Sequence, residues 1–121
     1  MSEVKGRFRR TLSRWASSDD LEARTLRIDT ERAGCCAIAD AVDREYVELQ
    51  GSLSTVTLRP RGGVPALEAE LYDGSGVITV IWLGRRRIAG IEPGRRVRVA
   101  GRIGLQDSAR VMYNPRYELR C

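Results

Sequence analysis

The pattern of apolar and polar positions divides the chain near Glu45. Beyond that point apolar residues recur with period two, the signature of half-buried strands. Tyr46 to Leu58 reads as a long first strand, with Val47, Leu49 and Leu53 on one side. Val56 and Leu58 have the opposite parity, so a bulge is expected near Ser54–Thr55, and Gly51 allows a sharp bend. Arg59 to Pro65 is a turn-rich loop, and Ala66 to Tyr72 a second strand with Leu67, Ala69 and Leu71 inward. Asp73–Gly74–Ser75–Gly76 is a hairpin turn. Val77 to Leu83 is the third strand, and Gly84 to Gly90 a short basic connection, expected as a helical turn. A turn at Glu92–Gly94 leads into a fourth strand, Arg95 to Ile103, with Val97, Val99 and Ile103 inward. Gly104 to Ala109 reads as a loop, and Val111 to Leu119 as a fifth strand interrupted by Asn114–Pro115, hence an edge.

Before Glu45 the spacing changes. Phe8, Leu12 and Trp15 share one face of an amphipathic helix over residues 2–16, opposite Arg7, Arg10 and Arg14. Ser17–Asp20 breaks it, and Leu21 to about Thr30 reads as a second short helix ended by Gly34. Cys36–Ala39 is a small apolar patch suited to covering one end of a core. The expected organisation is a helical extension over 1–44 and a barrel over 45–121.

Five strands in this order, with a meander of the first three and a long connection before the fourth, suit an all-β, five-stranded OB-fold barrel. An SH3-like barrel or an incomplete sandwich would give a similar count. The roughly eleven-residue third-to-fourth connection favours the OB-fold with a shortened inter-strand helix.

Composition narrows the function. The chain of 121 residues is 42% hydrophobic and contains no His, so the commonest general base and metal ligand are missing. Three Cys without His do not complete a four-ligand zinc site without help from carboxylates or a second chain, and no nucleophile–base pair can be proposed without His. The expectation is a non-enzyme with no metal and no cofactor. No apolar run reaches the length of a membrane span, and the odd number of Cys fits a reducing cytoplasm. Adjacent Cys35 and Cys36 read as small buried apolar residues.

Charge supplies the positive evidence. Of 21 basic residues only Lys5 is not Arg. Residues 1–84 hold 11 basic and 13 acidic side chains, a net of −2, whereas 85–121 hold 10 and 3, a net of +7. One end of the sequence therefore carries the footprint of a polyanion binder, in the residue type that forks phosphate.

The run Leu67 to Gly104, LEAELYDGSGVITVIWLGRRRIAGIEPGRRVRVAGRIG, resembles the nucleic-acid-binding OB-fold family in its DGSG hairpin, its strand ending in Trp82, and its EPGRRVRVAGRI turn and strand. Met112 to Glu118, MYNPRYE, is similar to the close of the wedge OB domain of RecG-type branch-migration helicases, where a His usually stands in place of Asn114. The whole chain also resembles small stand-alone OB-fold proteins of high-GC Gram-positive bacteria. The resemblance implies binding of single-stranded or branched DNA, or RNA, and no motor loop accompanies it.

Single strands are held by cations along the backbone and aromatic rings against the bases. The candidates are Arg59 and Arg61 in the first loop, Arg85, Arg86 and Arg87 in the long connection, Arg96, Arg98 and Arg102 outward on strand four, and Tyr113 and Arg116 on strand five. Trp82 and Tyr117 are further stacking candidates, although alternation points Trp82 inward. Glu68 and Glu70 face outward on strand two, where they would repel phosphate unless paired with Arg. They also favour the alternative, a protein-interaction adaptor using the barrel and the N-terminal amphipathic helix.

Overall fold

The computed structural model describes residues 20–120. The helix expected over 2–16 and Cys121 lie outside them. The second expected helix is present as α1, residues 20–32. Ala23, Leu26 and Thr30 form its buried stripe. It ends in a Schellman turn: Gly34 takes a φ of +71°, while Cys35 N–H donates to Thr30 O at 3.1 Å and Gly34 N–H to Glu31 O at 3.1 Å.

Beyond a single 3-10 turn, Ile38–Asp40, the chain is β: β1 (Tyr46–Leu58), β2 (Ala66–Tyr72), β3 (Val77–Leu83), β4 (Arg96–Arg102), β5 (Gly104–Gln106), β6 (Ala109–Tyr113) and β7 (Arg116–Arg120). They make one sheet in the order β5-β6-β3-β2-β1-β4-β7, antiparallel except for the parallel β3–β6 pair. The closed five-stranded barrel is thus corrected to seven strands whose hydrogen-bonded ladder is not closed. Two local events account for the extra strands. Asp107 and Ser108 both adopt positive φ, 52° and 66°, and fold the expected loop into a two-residue hairpin. Asn114, with φ 50°, and Pro115 then divide the expected fifth strand, half pairing with β3 and half with β4.

That division also curls the sheet. Five inter-strand steps separate β6 from β7, roughly 24 Å if flat, but the link through residues 114–115 reaches about 11 Å. The two sides must therefore approach. Gly101 on β4 makes this possible, because a Cβ there would stand 2.9 Å from Met112 Cγ and Sδ on β6.

The bulge lies where the parity change places it, between Leu53 and Thr55. A Cβ at Gly51 would collide with the Tyr72 carbonyl, so the bend of β1 over β2 requires glycine. Inward Leu49, Leu53, Leu71, Ile78, Val80, Val97, Val99 and Met112 are at most 1% exposed and form the centre of the core. The connection after β3 is not a helical turn. It runs as successive turns that insert Ile88 and Ile91 into the core, and those anchors leave no continuous register for a helix.

Asp73 ties the N-terminal segment to the sheet. It is 1% exposed, and its Oδ2 accepts the Ile38 N–H at 2.8 Å. Its Oδ1 accepts the N–H groups of Ser75 and Gly76 and the Ser75 hydroxyl, at 2.9, 3.1 and 2.6 Å. Ile38 thereby caps one end of the core, as the apolar patch predicts.

Candidate nucleic-acid interface

The first loop is short because Gly62 and Gly63 both take positive φ and let Arg61 and Val64 pair across the turn. That turn lays the Arg61 side chain back over the outer face of β2. Its Nη2 lies 3.0 Å from Glu68 Oε1, and Arg59 Nε lies 3.6 Å from Oε2 of the same carboxylate. The arginine partners that Glu68 requires therefore come from the loop. Arg61 also sits over the Tyr113 ring, 5.9 Å from its centroid, and donates to its hydroxyl at 3.4 Å. That hydroxyl donates onward to Gln106 Oε1 at 3.4 Å. Arg61 Nε is buried without a hydrogen-bond partner, so the guanidinium is only partly satisfied.

Tyr113 is 43% exposed and faces out. Arg102 joins it along one shallow groove with Leu105 and Gln106. Arg102 donates to the Arg44 carbonyl but meets no carboxylate among the described residues. Glu70 lines a small cleft with Thr55, Thr57, Arg59, Glu68 and Thr79. Ile81, flanked in register by Glu68 and Tyr113, points outward yet is fully buried. The uninterrupted apolar run VIWL, residues 80–83, is the sequence signal for that double-sided burial. Gln106 carried no such signal, because its contact to Tyr113 depends on the unforeseen β5–β6 hairpin.

Gly84 N–H donates to Pro65 O at 2.7 Å, so Arg85, Arg86 and Arg87 leave the sheet beside the Arg59–Pro65 loop. All three are exposed and make no ion pair among the described residues. One end of the molecule thus gathers Arg59, Arg61, Arg85, Arg86, Arg87 and Tyr113.

The remaining candidates lie elsewhere. Arg96 and Arg98 do point outward on β4, but toward α1. Arg96 pairs with Asp29 at 2.7 Å; Arg98 pairs with Glu48 at 2.8 Å and donates to the Ala33 carbonyl at 3.3 Å. Arg116 is exposed on a groove with Tyr46, Glu48, Arg98 and Tyr117. Trp82 is a core residue, 5% exposed, donating from Nε1 to Pro115 O at 3.1 Å and meeting Tyr117 edge-on at 5.7 Å.

Cys35 and Cys36 are half-buried rather than buried, and the burial they have pushes both thiols above their ordinary value. Among the described residues, no three His, Cys, Asp or Glu side chains converge as metal ligands would.

No family model and no curated protein matches the chain. Among solved structures it is similar to RecG bound to a three-way DNA junction, with a TM-score of 0.57 and 20% identity. The likeness covers 67% of this chain but only 12% of that one, and at this identity it is a likeness of fold.

Proposed function

We propose that the chain is a non-catalytic OB-fold module that binds nucleic acid, with single-stranded or branched DNA favoured over RNA. The observation that carries this reading is the grouping of Arg59, Arg61 and Arg85–Arg87 with outward Tyr113 at one end of a sheet whose fold is similar to part of a protein seen on a DNA junction. The exposed guanidiniums would track phosphates, and the free face of Tyr113 would stack a base, about 1–3 kcal/mol per base. The paired state of Glu68 supports the reading, since its charge is already countered by two arginines. The absence of His argues for binding without chemistry.

Fluorescence anisotropy with labelled single-stranded DNA, single-stranded RNA, duplex and a three-way fork, each at two salt concentrations, tests it. The expected result is salt-sensitive binding that prefers the single strand or the fork, because phosphate contacts release counterions. Absence of binding to all four at low salt would overturn it and leave the protein-interaction adaptor as the reading to pursue.

A further inference from the structure

A second basic site lies on the face that α1 partly covers. Asp29, Arg32 and Ala33 of α1 and its end, Gln50 of β1, Arg96 of β4 and Arg120 of β7 line an open notch of about 450 Å³. Arg96 and Arg120 are direct cross-strand partners in the antiparallel β4–β7 pair. Like charges in that position repel, and an anion beside them would relieve the repulsion. Asp29 supplies one negative charge, bonded to Arg96. Arg120 has only the largely exposed Glu118, at 3.2 Å, and Arg32 has no carboxylate partner among the described residues. The lining therefore carries three arginines against one aspartate. Its lining is incomplete in a second way: Gln50 Oε1 is buried with no hydrogen-bond partner. Rotation of that amide by half a turn would present its NH2 to an acceptor instead.

We infer that this notch binds a phosphate group, held between Arg32 and Arg120 and braced by Arg96 and Gln50. Convergent guanidiniums select tetrahedral oxyanions because each offers two parallel donors. The phosphate can belong to a small anion or to a nucleic-acid backbone; the chemistry of the site is common to both. The site is separate from the Tyr113 end and stands whether or not that end binds nucleic acid.

The test uses the Arg32→Gln/Arg120→Gln double variant, which leaves the Arg96–Asp29 pair in place, and the Arg32→Lys/Arg120→Lys variant, which keeps the charge. Two probes are applied: inorganic phosphate, read by the shift in Tm against chloride at equal ionic strength, and an oligothymidylate of about 20 nucleotides, read by the salt dependence of its affinity. For a small-anion site, phosphate raises the Tm of the parent protein and not of the Gln variant. For a backbone site, phosphate has no specific effect, and the Gln variant lowers the log–log salt slope by about 1.4, two contacts on a single strand, while the Lys variant restores it. A Gln variant that folds and matches the parent with both probes overturns the proposal.

Discussion

The two ends of β2 use a carboxylate in opposite ways. Just past one end, Asp73 is buried and surrounded by three backbone N–H groups and a hydroxyl, all donors that nothing else satisfies. Near the other, Glu68 meets two guanidiniums from a loop, one of which, Arg59, is mostly exposed. Donors fixed in the backbone cannot leave, so the first arrangement belongs to the fold. Side-chain donors on an open loop can exchange one anion for another, so the second is available to a ligand. Asp73 and Glu68 share a charge; who donates to each carboxylate separates scaffold from site.

Loss of the buried carboxylate at Asp73 should cost the most. Asp73→Ala leaves the N–H groups of Ile38, Ser75 and Gly76 without their acceptor in a closed environment. Each such loss costs about 1–3 kcal/mol, so the expected destabilisation is about 3 kcal/mol or more, measured by thermal or denaturant unfolding. A loss under about 1 kcal/mol would mean that water replaces the carboxylate, and the anchored end would then be no more closed than the other.

At the open end the largest effect belongs to the arginines that have no partner. Arg85→Ala/Arg86→Ala/Arg87→Ala removes three exposed cations and no described ion pair. Stability should change little, within about 0.5 kcal/mol. Affinity for single-stranded DNA at low salt should fall on the order of 10–100-fold, with the salt slope reduced by about 2. Unchanged binding would move the interface away from this loop.

The same contrast explains what the sequence reveals and what it conceals. Period-two alternation and the parity change at Ser54–Thr55 locate the elements of the meander, and Gly34 locates the end of α1, because each reflects a local rule. The Asp107–Ser108 hairpin escapes such rules: neither residue is a glycine, and both are held at positive φ by the pairing of β5 with β6. The fold-back of the chain at Asn114–Pro115 depends on the β3–β6 and β4–β7 pairings, so a five-strand reading counts one strand where there are two. For the site, residue type was legible but partnership was not. Arg96, Arg98 and Arg102 alternate alike along β4, yet α1 arrives from far earlier in the chain and supplies Asp29 to one and the Ala33 carbonyl to another.

The smallest effect is the most discriminating. Glu68→Gln keeps the shape of the side chain and an acceptor for Arg61, but deletes the negative charge and frees two guanidiniums from it. The pairs are partly solvated, so their loss should cost at most about 1 kcal/mol of stability. If Glu68 is the internal stand-in for a phosphate, affinity for single-stranded DNA should rise, about 3–10-fold at low salt, and the salt slope should steepen by up to about 1.4 as two more contacts become available. If Glu68 instead holds Arg61 over Tyr113 so that ring and guanidinium meet the ligand together, affinity should fall, because little else fixes the Arg61 side chain: its Nε is unpartnered and its bond to the Tyr113 hydroxyl is long, at 3.4 Å. The sign of the change therefore separates a carboxylate that competes with the ligand from one that positions its receptor, and only the first makes Glu68 the exchangeable counterpart of Asp73.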